Sequence, residues 1–150
     1  GTLGLLGSSL GGYLALLAKS CGRHPIDAVV CWATPFDLSR IADAMETSLE
    51  LKRYFPPGFR LGWPKSLDEL PPIEGVLVIH GERDELVPWS HAVRIYQKAD
   101  EPKRLLLVRD AEHRFLQAAC RSLALRASLE WLRERGLVQA PKVALLQRRI

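Results

Sequence analysis

The sequence predicts an α/β fold, a parallel β-sheet with flanking helices, and two observations support this prediction. Four short, mainly apolar runs, at 2–6, 28–33, 76–80 and 104–108, are typical of strands that are buried on both faces. Segments with helical periodicity separate these runs, and strands that alternate with helices indicate a parallel sheet. With 150 residues, 47% of them hydrophobic, the chain is long enough to form one such domain.

The helices are predicted from apolar residues at helical spacing. Residues 10–20 follow the first strand and end near Gly22, and residues 90–99 lie between the third and fourth strands. A further helical pattern begins at Ser39. A long helix follows the fourth strand and stops at Gly136. We expect its buried stripe to comprise Leu116, Cys120, Leu123, Ala127 and Trp131.

The chain divides into one domain and a tail. Residues 1–136 contain all of the predicted strands, and residues 137–150 show no strong pattern. Within the domain, residues 37–72 form a proline-rich excursion with large apolar side chains, which favours a short cap over a linker.

Composition narrows the function classes. The net charge is +4, but the basic residues are scattered and not interleaved with aromatic residues, which argues against nucleic-acid binding. Three widely separated cysteines favour free thiols and a reducing, cytoplasmic compartment. No apolar run approaches the roughly 20 residues of a membrane span, and no cluster of metal-ligating residues stands out, so we expect neither a membrane nor a metal partner.

The motif G-x-S-x-G lies at residues 7–11, between the first predicted strand and the first predicted helix. A serine on such a strained turn projects its hydroxyl from the chain, so Ser9 is the candidate nucleophile. Ser8 lacks the flanking glycines at −2 and +2. The glycines at 7, 11 and 12 are expected to provide room for the turn. The backbone N–H of Leu10, at the helix N-terminus, would serve as one oxyanion donor.

Charged loops follow the third and fourth strands directly, with HGERDELVP at 80–88 and DAEHRF at 110–115. Ligands of open parallel sheets bind beyond the carboxyl ends of the strands, so Ser9, Asp84 and His113 can meet in one crevice. His113 would accept the serine proton, and Asp84 would orient the imidazole. Other candidates for the acid are Glu82 and Glu85 in the same loop, and Asp37 after the second strand.

In these loops and in their order, Ser9 then Asp84 then His113, the chain resembles the carboxyl-terminal half of the α/β-hydrolase family. The resemblance implies a serine hydrolase that cleaves a carboxylic ester or thioester through an acyl-enzyme, with no cofactor. The GSSLGG turn and the short cap are also similar to prolyl-oligopeptidase-like peptidases, so a peptidase is an alternative. A binding or assembly module that has lost catalysis, or an incomplete fragment of a hydrolase, is another.

Family members place several strands before the nucleophile strand, and a loop there provides a second oxyanion donor. This sequence begins within that strand, so the resemblance implies an unpaired strand edge with apolar side chains exposed on both faces. Three explanations stay open: a longer protein, which we favour, a homo-oligomer that completes the sheet, and a decayed remnant.

The remaining aromatic and histidine residues allow two interpretations. Trp32 and Phe36 are candidate substrate-binding residues, and an acyl pocket could also be lined by Met45, Phe55, Phe59 and Trp63. Aromatic residues near strand ends are, however, as often part of the core. His80 ends a strand and is expected to pack beneath the site, whereas His24 and His91 are expected at the surface.

Overall fold

The computed structural model describes residues 2–39, 62 and 64–139. In this part of the chain, strands β1 (Gly4–Ser8), β2 (Ala28–Trp32), β3 (Val76–Gly81) and β4 (Lys103–Val108) form one parallel sheet in that spatial order. The helices are α1 (Leu10–Ser20), α2 (Ser90–Lys98) and α3 (Ala118–Glu134). The predicted α/β fold, a parallel sheet with flanking helices, is confirmed.

The two faces of the sheet bury two separate apolar cores, because successive side chains of a strand point to opposite faces. On one face, Val29 and Cys31 of β2 pack in a core that includes residues of α1 and α2. On the other face, Ala28 and Val30 pack in a core that includes residues of α3. Strand β3 is therefore buried at every position, and β2 at every position except its last.

Strand β1 lies at one edge of the described sheet. Leu5 is partly buried against the core on the α1 side, whereas Leu6, on the opposite face, is 53% exposed. The expectation that apolar side chains are exposed at this edge is met at Leu6 and at Leu3, which directly precedes β1 and is 42% exposed, but not at Leu5. Pairing of this edge with an upstream segment or with a second copy stays a prediction.

The buried stripe of α3 differs from the predicted one. The residues that it buries are Cys120, Ala124, Ser128 and Trp131. Leu116 precedes the helix and is 65% exposed, and Leu123 is 38% exposed. The stripe is shifted because Ser128 is buried through its hydrogen bonds, with its hydroxyl donating to the Ala124 carbonyl at 2.8 Å and accepting from the Trp32 indole at 3.0 Å. Hydrophobicity alone does not reveal such a position.

Helix α3 ends at Gly136 as predicted. Gly136 has φ 71°, its N–H donates to the Arg133 carbonyl, and the Leu137 N–H donates to the Leu132 carbonyl, which is a Schellman ending. Leu137 packs against the core on the α3 side, although the predicted tail starts there. The tail from residue 140 onwards lies outside the described residues.

The start of the predicted cap-like excursion pairs with a later part of the same excursion, near residue 66. Asp37 and Ser66 form an antiparallel bridge, and the Leu38 N–H donates to the Lys65 carbonyl at 2.7 Å. A single 3₁₀ turn, Leu67–Glu69, follows and is capped by Ser66. The helix predicted from Ser39 and most of the excursion lie outside the described residues. Among the helices that the structure does describe, none is long and apolar enough to cross a membrane.

Candidate active site

Ser9 occupies the turn between β1 and α1 in a conformation that few non-glycine residues adopt. Its φ is 52° and its ψ is −123°, a conformation that costs on the order of 1–3 kcal/mol. Hydrogen bonds hold it there: the Ser9 N–H donates to the Trp32 carbonyl at 2.8 Å, and the Ser9 carbonyl accepts from Gly12 and Tyr13. The turn therefore presents the hydroxyl above the carboxyl end of β1, at the start of a helix.

Two of the three glycines around this turn are required by close approach. A Cβ on Gly7 would lie 2.3 Å from the Gly11 carbonyl oxygen, and a Cβ on Gly12 would lie 1.9 Å from the Thr34 hydroxyl. A Cβ on Gly11 would meet no atom of the described structure within 4 Å. The expectation that all three glycines provide room is thus wrong for Gly11, the last glycine of the motif.

Asp84 lies in the loop after β3, with its side chain fully buried. Its Oδ1 accepts hydrogen bonds from the backbone N–H groups of Leu86 at 3.0 Å and Val87 at 2.8 Å. Its Oδ2 lies 2.8 Å from Nδ1 of His113 and 3.2 Å from Nε2 of His80. Both carboxylate oxygens are therefore held in a fixed orientation by neighbouring donors.

His113 connects Asp84 to Ser9. While its Nδ1 faces Asp84, its Nε2 lies 3.1 Å from the Ser9 hydroxyl oxygen. The imidazole is 17% exposed, so it is reachable from solvent on one side. The structure thus brings Ser9, His113 and Asp84 together in one chain of hydrogen bonds. Such a chain allows an imidazole to accept a hydroxyl proton while a carboxylate faces its other nitrogen.

Glu112 fastens the loop that carries His113. Its carboxylate accepts the N–H of Leu116 at 2.5 Å and the N–H of Arg114 at 2.7 Å. The hydrogen bond from Leu116, with a further contribution from Arg114, holds the pKa of the Glu112 carboxyl below its ordinary value. The sequence carries no signal for this role, because it shows only that Glu112 adjoins the histidine.

The other acid candidates lie elsewhere. Glu82 and Glu85 are exposed. Asp37 accepts the Ser39 N–H at 2.7 Å, and hydrogen bonds with Ser39 lower the pKa of its carboxyl. Ser8, the neighbouring serine, is exposed at the end of β1. Among these groups, the described contact to His113 is made by Asp84.

Trp32 and Phe36 make contacts within the protein. The Trp32 ring packs against Phe115, with ring centroids 5.2 Å apart. Phe36 is 2% exposed and lies under the guanidinium of Arg94. Their part in substrate binding stays a prediction. The further aromatic candidates Phe55, Phe59 and Trp63, together with Met45, lie outside the described residues.

The remaining histidines differ in exposure. His24 is exposed, as predicted, but His91 is half-buried, and its Nδ1 accepts the Phe36 N–H at 2.9 Å. His80 is fully buried next to Asp84, which agrees with a position beneath the site.

The Leu10 N–H, the candidate oxyanion donor, stands at the first position of α1, where the helix itself offers no acceptor. Cys31 is a poor nucleophile because burial raises the pKa of its thiol to about 12. Within residues 2–39, 62 and 64–139, no three His, Cys, Asp or Glu side chains are grouped to hold a metal ion.

Comparison with curated proteins gives relatives of undefined activity. YfhR of Escherichia coli O157:H7, described as an uncharacterized protein, is 34% identical over 114 residues, which are 73% of this chain and 37% of YfhR. YfhR of Salmonella typhimurium is 29% identical over 119 residues, 73% of this chain and 39% of that protein. The chain thus spans less than two-fifths of the length of these relatives. No family model matches it.

Solved structures provide the fold. The esterase domain of a Rhodothermus marinus protein gives a TM-score of 0.64 at 21% identity, over 87% of this chain and 59% of that one. Mouse alpha/beta hydrolase domain-containing protein 10 gives a TM-score of 0.63 at 25% identity, over 89% of this chain and 63% of that one. The described part of the chain therefore has the fold of the α/β hydrolases.

Proposed function

We propose that this chain contains the catalytic triad of an α/β-type serine hydrolase, which cleaves a carboxylic ester or thioester through an acyl-enzyme intermediate. The observation that supports the proposal is the chain of hydrogen bonds from the Ser9 hydroxyl through His113 to Asp84, at 3.1 Å and 2.8 Å. Similarity to an esterase domain and to a monoacylglycerol lipase of Paleococcus ferrophilus agrees with a hydrolase of this kind. We expect a cytoplasmic protein that acts on a small acyl substrate.

In the first half-reaction, the Ser9 oxygen attacks the acyl carbon while Nε2 of His113 takes the hydroxyl proton. Asp84 faces the protonated imidazole and stabilises it. The tetrahedral intermediate then collapses as His113 gives the proton to the departing alcohol or thiol, which leaves Ser9 acylated. In the second half-reaction, water attacks the acyl-enzyme with His113 again as the base, and the acid and free Ser9 are released.

The Leu10 N–H is positioned next to the nucleophile, at the N-terminus of α1. We propose it as one donor to the oxyanion, since a preorganised N–H acts where negative charge develops. In other enzymes, removal of one oxyanion donor lowers the rate about 10²–10³-fold. A second donor from outside the described residues would therefore contribute strongly to the rate.

Covalent labelling of the purified protein with a fluorophosphonate, followed by peptide mass spectrometry, tests the proposal. We expect stoichiometric labelling at Ser9 that is lost in Ser9→Ala and His113→Ala. Ser8→Ala is the matched control, because it removes the adjacent exposed hydroxyl and should be labelled as the wild type is. Folded protein that takes no label, or labelling at another serine, would overturn the proposal.

A panel of short p-nitrophenyl esters and thioesters, run beside a proline-containing peptide amide, tests the substrate class. We expect turnover of the esters, with a loss of about 10⁴-fold in kcat for Asp84→Asn. Turnover of the amide alone would favour the peptidase alternative. Biological activity that survives Ser9→Ala would favour a binding module.

A further inference from the structure

His80 is buried directly beneath the acid of the proposed triad. Its Nε2 lies 2.8 Å from the Val87 carbonyl oxygen and 3.2 Å from Oδ2 of Asp84. Its Nδ1 is buried and has no hydrogen-bond partner among the described groups. The Asp84 oxygen that faces His113 therefore also faces a second imidazole.

Only one protonation state of His80 fits these contacts. If the proton were on Nδ1, a buried donor would be unpaired, and the Nε2 lone pair would face two oxygens, which is repulsive. A doubly protonated ring would likewise leave the Nδ1 N–H unpaired in the interior. With a neutral ring and the proton on Nε2, the donor has its partner, and the unpaired atom is an acceptor.

From this geometry we infer that His80 is a positioning residue for the acid: a neutral imidazole whose Nε2–H fixes the Asp84–Val87 turn and thereby the carboxylate that faces His113. The Val87 N–H donates to Oδ1 of Asp84, and the Val87 carbonyl accepts from His80. His80 therefore fixes the position of Val87, and Val87 in turn fixes the carboxylate of Asp84. The catalytic part of this inference rests on the proposed function.

The environment keeps this imidazole neutral. Burial, the largest effect, lowers the pKa of His80, although the Val87 carbonyl and Asp84 act in the opposite direction. When they are protonated, His113 and His91 lower the pKa of His80 further by charge repulsion. Burial and this repulsion therefore favour the neutral ring, whose proton the contacts place on Nε2.

A pair of variants separates this role from simple packing. His80→Gln places an amide N–H close to the position of Nε2, whereas His80→Asn places it near Nδ1, too far from Val87. We expect kcat for a p-nitrophenyl ester to fall about 10–100-fold in His80→Asn with KM unchanged, as for a misplaced catalytic group. His80→Gln should retain kcat within about threefold, and His24→Gln, at an exposed histidine, should match the wild type.

Two NMR measurements test the inference without turnover, so failure of the proposed function is recognised separately. The ¹⁵N shifts of His80 in the wild type should report a predominantly neutral ring with the proton on Nε2 at pH 6.5 and above. The far-downfield proton on Nδ1 of His113 should persist in His80→Gln and weaken in His80→Asn. A proton on Nδ1 of His80, a charged ring, or a folded His80→Asn that keeps both kcat and the His113 signal would overturn the inference. Absence of fluorophosphonate labelling in the wild type would count against the proposed function alone.

Discussion

The two glycines that flank Ser9 in the G-x-S-x-G motif should differ sharply when each is replaced by alanine. A Cβ on Gly7 would lie 2.3 Å from the Gly11 oxygen and 2.4 Å from the Gly11 carbon, both of them backbone atoms. A Cβ on Gly11 would meet no atom of the described residues within 4 Å. The added methyl group would therefore overlap with backbone atoms at position 7, whereas at position 11 it would contact no described atom.

The magnitudes follow from these distances. Ordinary contact begins at 3.4 Å, so Gly7→Ala must push the first turn of α1 away from β1 by about 1 Å. Because the obstacle is backbone and not a mobile side chain, we expect a loss of about 3 kcal/mol in the free energy of unfolding, the upper end for an overpacked site. The same displacement would move Ser9 relative to His113 and slow acylation about 10²-fold. Gly11→Ala should instead stabilise the helix by about 0.5–1 kcal/mol.

Urea denaturation gives the stability difference, and the rate of fluorophosphonate labelling gives the displacement of Ser9. The labelling is measured at a urea concentration where both variants are folded. A Gly7→Ala protein that is as stable as Gly11→Ala and is labelled at the same rate would show that the packing of α1 on β1 is not the constraint. In that case, a requirement for glycine at position 7 would have to arise from contact with the bound substrate.

Three further outcomes are expected. Glu112→Gln should reduce the loss of unfolding free energy that the wild type shows below about pH 4.3. A carboxyl whose pKa is lower in the folded state stabilises the protein above its unfolded pKa, and this stabilisation is lost as the pH falls. An unchanged pH dependence in the variant would contradict this. Burial lowers the pKa of His80 in the folded state. The free energy of unfolding of the wild type should therefore fall by up to about 1.4 kcal/mol per pH unit below about pH 6.5, until the folded pKa is reached. His80→Gln should lack this slope in a pH series of urea titrations. Trp32→Leu should lower kcat with KM unchanged in ester hydrolysis, whereas a rise in KM alone would favour the predicted substrate contact.

Much of the site was predictable from the sequence because strand ends in a parallel sheet share one edge. Asp84 and His113 follow neighbouring strands, and Ser9 follows a strand of the same sheet, so their convergence needs no side-chain detail. The motif alone did not show which glycines are needed. Gly7 and Gly11 have equal standing in the sequence, and only the contact of α1 with β1 distinguishes them.

Other features depend on contacts between distant residues. The predicted stripe of α3 comprises only apolar residues at helical spacing. The buried face keeps Cys120 and Trp131 of that stripe but also contains Ser128, whose hydroxyl accepts from Trp32, 96 positions away along the chain. The hydrogen bonds of Glu112 to Arg114 and Leu116 require a turn that places Phe115 at φ 52°. Neither periodicity nor composition predicts these hydrogen bonds, because the bonds depend on the path that the chain takes in the folded protein.

The distance between strands explains why apolar packing matters to this polar site. Strand β4 lies three strand spacings from β1, about 14 Å, which is far beyond the reach of one imidazole. The loop after β4 must therefore return over the ends of β3 and β2 before His113 can approach Ser9. Two contacts hold it on that path: the Ala111 carbonyl accepts the Arg83 N–H at 3.0 Å, and Phe115 packs on Trp32 at the end of β2. The 3.1 Å distance from Nε2 to the hydroxyl thus depends on an aromatic pair in addition to the carboxylate, and a change at that pair should slow the chemical step before it affects binding.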